Sequence, residues 1–165
     1  MSTTSTPEVV VVGGGVAGRS AAVFTARHGL DTVVLDAGKS ILRRNAHVEN
    51  VPGFPAGVNG QQLLDLLDEQ AEQAGSEQVT ATVENVEQTE DGFAVETDAG
   101  DHYRTEYVVA ATKNTVGYLA DIDGVGIIDR GKAFVDTDEH GRTDVDGLYA
   151  AGRLAEKPHQ AAVCA

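Results

Sequence analysis

Residues Val9 to Gly18 read VVVVGGGVAG, and no other stretch limits so strongly what the chain can fold into. Four consecutive valines suit a strand buried on both faces, the usual state of a central parallel strand. The glycines end that strand, and Gly13-x-Gly15-x-x-Gly18 opens a helical run from Val16 to His28, in which Val16, Ala17, Ala21, Val23 and Phe24 are expected to favour one side. A second strand, Asp31 to Leu35, follows and leads into Asp36. In such a βαβ unit the first glycine permits a tight turn, the second lets backbone N–H groups approach a pyrophosphate, and the third lets the helix pack close to the strand. The anion then rests on the positive end of the helix. A GxGxxG by itself is weak evidence; strand, turn, helix, second strand and terminal acid inside about thirty residues supply the context it requires. Asp36 would accept hydrogen bonds from a ribose diol and repel a 2′-phosphate, which favours FAD or NAD over NADP.

The 165 residues suffice for one core, and one domain is the expectation. Asp and Glu number 26 against 12 Lys and Arg, a formal net charge of −14, so nucleic acid and anionic membranes are poor partners for the surface. Such an excess of carboxylates points to solubility and to adaptation to high salt. No apolar run reaches roughly eighteen residues and no signal segment opens the chain, so a cytoplasmic protein is expected, with no membrane partner. Residues 1–7, MSTTSTP, suggest a disordered polar leader. Cys164 is the single cysteine, so neither an intramolecular disulfide nor a CxxC pair can form.

Between Ala37 and Gly60 lies a long connection that includes Arg43 and Arg44, adjacent cations that could hold a ribose phosphate or simply be solvated. Long irregular segments in compact domains tend to be functional or disordered. Gly60 to Ala74 reads as an amphipathic helix with Leu63, Leu64, Leu66, Leu67 and Ala71 on its core side and Gly75 as its stop. Three alternating runs follow, with turns at Asp91-Gly92 and Ala99-Gly100. They carry Val79, Ala81, Val83 and Val86, then Phe93 and Val95, then Tyr103, and read as a β-meander. Tyr107 to Thr112 suits an apolar strand rejoining the parallel sheet, 113–130 an irregular linker, Phe134 to Asp136 a short strand, and Leu148 to Ala151 a last buried strand. Pro158 suits the first turn of a final helix. The predicted fold is α/β: a single Rossmann-like FAD/NAD(P)-binding domain over 8–165, with a parallel central sheet, helices and an added three-stranded β-meander.

Several of these motifs line up with one family. GGGVAG with Asp36, VENVPGFPAGVNGQQLLDLLDEQAEQAG, YVVAAT, and GRTDVDGLYAAGR followed by PHQAA resemble the FAD domain of thioredoxin reductases and related two-domain flavoproteins. The likeness runs from Glu8 to Ala165, and its VENVPGFP and GLYAAG segments are far more specific than the glycine motif. In that family an NADPH domain is inserted into the FAD domain; the resemblance puts the insertion point between Thr112 and Phe134, where this chain has a short linker. With no CxxC either, a conventional thioredoxin reductase mechanism cannot run in this chain alone.

FAD is the cofactor that the resemblance implies. It places Gly13, Gly15 and Gly18 at the pyrophosphate, Asp36 at the adenosine ribose and Val83 beside the adenine through its backbone, with Val16, Ala17, Ala37 and Arg44 as further cofactor-binding candidates. Asn50 would approach the flavin ring, with Gln160 and Ala161 at its edge. Thr112, Lys113, Gly152 and Arg153 fall on two further cofactor motifs, and here the chain departs from the family. Lys113 stands where the family has glycine, Arg153 where it has a carboxylate, and His159 where arginine is common. Added side chains can obstruct a ligand, whereas new cations near phosphate can strengthen its binding. A cation beside the flavin would also stabilise the reduced anion and raise its potential.

The implied function is a single-domain FAD flavoprotein, an electron-transfer oxidoreductase served by diffusible NAD(P)H or a redox partner protein. The alternatives are a non-catalytic nucleotide-binding or sensor module, and a binder of NAD or another adenine nucleotide. Family members are commonly dimers, which implies a homodimer. His47 and His159, loop histidines with no visible partner, are weak candidates for proton exchange, and no catalytic residue is assigned. His28, His102 and His140 lack ligand spacing, so no metal site reads from the chain.

Overall fold

The computed structural model describes residues 4–155. In chain order the elements are β1 (Thr4–Ser5), β2 (Val9–Val12), α1 (Val16–Arg27), β3 (Thr32–Asp36), α2 (Gly60–Ala74), β4 (Glu77–Thr80) and β5 (Val83–Thr89). There follow β6 (Gly92–Thr97), β7 (His102–Thr105), β8 (Tyr107–Ala110), β9 (Ile127–Asp129), β10 (Ala133–Val135) and β11 (Leu148–Ala150). Five parallel strands form the central sheet in the order β11-β8-β2-β3-β4. β2 lies in its middle and all four of its valines are buried.

Strand alternation sends those valines to two different cores. Val9 and Val11 join Val34 against Ala22 and Val23 of α1 and Ala71 of α2. Val10 and Val12 point the other way, into a larger cluster with Leu35, Val86, Phe93, Val95, Tyr118 and Leu148. Each buried valine contributes about 1.5 kcal/mol of transfer free energy. Because both faces are covered, the strand reads as a solid apolar run rather than an alternating one. Among the described residues no helix is long and apolar enough to cross a membrane.

The second helix begins and ends as its sequence indicates. The Asn59 side chain accepts from the N–H groups of Gln61 and Gln62, and Gly75 closes it in the left-handed conformation at φ +106°. Leu63, Leu64 and Ala71 are buried, but Leu66 is 42% exposed. On α1 the expected apolar side is also only half right: Phe24 is 65% exposed, while Arg19 is only 3% exposed.

The alternating stretch around Val79 to Val86 divides between two sheets. β4 pairs in parallel with β3 at the edge of the central sheet, the Ala81 N–H donates to the Asp36 carbonyl at 3.2 Å, and β5 then starts the antiparallel sheet. A period of two is shared by both sheet types, so alternation alone cannot locate the break. The antiparallel sheet has the order β1-β7-β6-β5, so the three meander strands gain a fourth. That fourth strand is Thr4–Ser5, inside the segment whose polar composition suggests a disordered leader; it runs parallel to β7, with Thr4 opposite His102. Behind it Pro7 is buried, and the Glu8 carbonyl accepts from Thr105 Oγ1 at 2.8 Å and from Tyr107 N–H at 3.0 Å. β9 and β10 form a separate hairpin, so the stretch taken as irregular linker already enters a strand at Ile127. The final helix suggested by Pro158 lies outside the described residues.

Candidate functional site

A crevice opens at the carboxyl ends of the central strands, where parallel α/β sheets place their ligands. The loops after β2, β3, β4, β8 and β11 line it, and it encloses about 1100 Å³ of empty space, open mouth included. Of the residues expected at the cofactor, Gly13, Gly15, Val16, Ala17, Asp36, Ala37, Val83, Thr112, Lys113, Gly152 and Arg153 all line this one space. Sequence separations of up to 140 residues collapse here because β2, β8 and β11 lie side by side in the sheet.

The glycine turn is shaped by contacts that no side chain could make. A Cβ on Gly18 would lie 1.8 Å from the Gly13 carbonyl oxygen, and one on Gly13 would lie 2.5 Å from that of Ala111. On Gly14 it would meet the Asp36 side chain at 2.6 Å. Gly15 differs: its nearest neighbour would be Ser40 Oγ at 3.8 Å, so this face of the turn is open to the crevice. Gly15 is also the N-cap of α1, and no side chain caps that end. The first amides of α1 therefore retain donor capacity, and the helix dipole adds positive potential. Open space above Gly15 and uncapped amides are what a diphosphate requires, so the residues present fit the group.

Asp36 stands beside the glycine turn, at the end of β3. One carboxylate oxygen accepts from the Gly38 N–H at 3.1 Å, and the other from Arg19 Nη2 at 3.3 Å. Arg19 in turn grips Asp68 of α2 with Nε and with Nη2, the latter at 3.0 Å. One guanidinium thus joins α1, α2 and the end of β3, and among the described residues its Nη1 has no hydrogen-bond partner. Sequence reasoning missed Arg19. The available signal was a cation directly after Gly18, in a helix otherwise lined with small and apolar residues.

The far side of the crevice carries a polar chain and two cations. Thr112 Oγ1 donates to the Thr115 carbonyl at 2.7 Å, so the hydroxyl of buried Tyr118 must be the donor in its 2.8 Å bond to Thr112. Burial pushes the Tyr118 hydroxyl well above the usual tyrosine range and keeps it protonated. Lys113 is held at φ +59°, the one described non-glycine residue in the left-handed region, at a cost of about 1 kcal/mol. Gly152, at φ +71°, brings the turn after β11 so close to α1 that a Cβ would lie 2.7 Å from that of Ala17.

The remaining expected residues are placed differently. Gly18 sits beneath the turn rather than on the crevice wall, packed on Gly13. Arg44 is exposed at the end of the 3₁₀ turn Ile41–Arg44, and Asn50 is exposed beyond the Val48–Val58 bridge; neither lines the crevice. His47 is also outside it, with Nε2 at 3.5 Å from Glu49 Oε1. Gln160, Ala161, His159 and Cys164 lie outside the described residues. Lys39, Ser40, Thr82 and Tyr118 join the lining without having been expected there.

A parallel sheet, a glycine cradle on a helix N-terminus and a ribose-side carboxylate define the class, a Rossmann-like dinucleotide-binding domain. Residues 8–48 match the family described as FAD binding domain. The chain is 35% identical over 117 residues to the thioredoxin reductase of Rickettsia felis, covering 70% of this chain and 38% of that protein. It is 37% identical over 114 residues to the bifunctional thioredoxin reductase/thioredoxin of Mycobacterium leprae, covering 68% of this chain and 25% of that one. The chain therefore spans little more than a third, or less, of the curated relatives it matches. In structure it resembles a thioredoxin reductase from Gloeobacter violaceus, with a TM-score of 0.85, 18% identity, and coverage of 97% of this chain and 90% of the other. The thioredoxin reductase of Lactococcus lactis gives a TM-score of 0.82 at 15% identity, covering 92% and 91%. At such identities the structures speak for the fold alone. The chain is a thioredoxin reductase-like FAD-binding domain, and FAD is its cofactor.

Proposed function

We propose that this domain is an electron-transferring flavoprotein oxidoreductase whose electrons come from diffusible NADH or NADPH or from a redox partner protein. The observation that carries the reading is the open face of Gly15 on an uncapped helix N-terminus, with Asp36 beside the same turn. FAD supplies reversible two-electron chemistry at its ring. The chain's own part is to hold and orient it. The first amides of α1 take the diphosphate, Asp36 the adenosine ribose and Val83 the adenine side, while Arg153 brings positive charge to the far wall. Asn50, Gln160 and Ala161 at the flavin ring belong to this proposal through the resemblance alone.

Two further features are part of the same reading. The family likeness supports a homodimer, and the excess of acidic residues supports a soluble cytoplasmic protein adapted to high salt. The test is an absorption spectrum of the purified protein, with mass spectrometry of whatever it releases on denaturation. The expected result is a yellow protein that releases FAD and is bleached anaerobically by NADH or NADPH, then reoxidised by a disulfide, a quinone or oxygen. A colourless protein that takes up no added FAD overturns the proposal. A yellow protein that no nicotinamide or partner reduces removes the electron-transfer part.

A further inference from the structure

We propose that Lys113 is a phosphate latch, a side chain that straps the crevice shut at one lip and transfers its ammonium to the diphosphate of the incoming dinucleotide. The inference rests on the FAD reading. Lys113 Nζ donates to the backbone carbonyl of Lys39 at 2.6 Å, across 74 residues of sequence, and both residues line the crevice. The lysine therefore bridges the loop after β8 and the loop after β3, the two lips between which the glycine turn lies. Its acceptor is a neutral carbonyl, and the ammonium has three donors. A phosphate oxygen is the stronger, charge-assisted acceptor, so a ligand that reaches the turn draws the latch onto itself.

Two features show that the arrangement is built rather than incidental. A lysine at φ +59° occupies a conformation suited to glycine, so the backbone accepts strain to place this side chain here. The loop that carries it is pinned on both sides: Thr112 is tied to Thr115 and Tyr118, and Asn114 Nδ2 donates to the Ala133 carbonyl at 2.9 Å. The stem is rigid and only the lysine side chain is left to swing.

The test compares Lys113→Met, Lys113→Gly and Lys113→Arg with the unaltered chain. Affinity and dissociation rate for FAD are read by flavin fluorescence and affinity for ADP by calorimetry, across a potassium chloride series, with thermal melting alongside. Lys113→Met and Lys113→Gly are expected to bind FAD and ADP about tenfold more weakly, with faster release and a shallower salt dependence, and Lys113→Arg to recover most of the loss. Lys113→Gly relieves the backbone strain, so it should melt no lower than the unaltered chain, which separates lost binding from lost folding. Equal affinity and salt dependence in all four proteins would overturn the latch and leave the FAD reading standing, as would a Lys113→Arg variant as weak as Lys113→Met. If the unaltered chain takes up neither FAD nor ADP, both fall.

Discussion

On the β2–α1–β3 side of the crevice the chain makes contacts that only a hydrogen atom permits, whereas the segments after β8 and β11 reach in with lysine and arginine. Gly13 and Gly18 each leave 2.5 Å or less to a backbone oxygen for a Cβ. Across from them Lys113 and Arg153 stand at positions where the resembled family has glycine and a carboxylate. One side supplies shape and the other supplies charge. Shape built from backbone clearances has no freedom to vary, because the neighbour that must give way is itself backbone. Charge carried on long side chains can change in sign and identity while the cradle stays intact.

The largest effect is expected on the rigid side. Gly18→Ala forces a methyl onto the Gly13 carbonyl and should cost about 4 kcal/mol or prevent folding, read by thermal melting and FAD uptake. A variant that melts and binds like the unaltered chain would dissolve the distinction between the two sides. Next comes the support behind Asp36. Arg19→Met leaves Asp36 and Asp68 without their shared cation and should destabilise by about 3 kcal/mol in urea, with FAD affinity falling as Asp36 loses its anchor. Unchanged stability would mean that Arg19 only fills space.

The smallest effect is on the polar chain of the charged side. Tyr118→Phe removes one buried hydrogen bond to Thr112 and should cost about 1 kcal/mol at neutral pH. The pH profile sharpens this. The folded hydroxyl stays protonated above the ordinary tyrosine value of 10.0, so the native state keeps its full stability below that pH and loses it as the pH rises beyond. Tyr118→Phe lacks this linkage, so its deficit relative to the unaltered chain should shrink above pH 10. A deficit constant across the alkaline range would show that Tyr118 ionises freely when folded.

Much of the rigid side was legible in advance. A run of valines followed by glycines at fixed intervals and an acid at the end of the next strand is local information, and the structure brings Gly13, Gly15 and Asp36 together in the lining of the crevice. The helix Gly60–Ala74 was equally readable, because a leucine stripe and a stopping glycine act within one segment. Arg19 was not readable, since what buries it lies 17 and 49 residues away. The exposure of Phe24 and Leu66 escaped for a similar reason: amphipathicity says which residues could be buried, but neighbouring elements decide how wide a stripe they cover.

The amino-acid order by itself determined the strand, turn and helix of the nucleotide cradle, because those depend on backbone conformations that glycine, valine and capping residues control within a few positions. Only the tertiary structure decided that Thr4–Ser5 becomes a strand, that the run near Ala81 splits between two sheets, and that Lys113 reaches Lys39. Each of those outcomes is a pairing between distant segments, and its free energy belongs to both partners at once, so neither segment carries it alone.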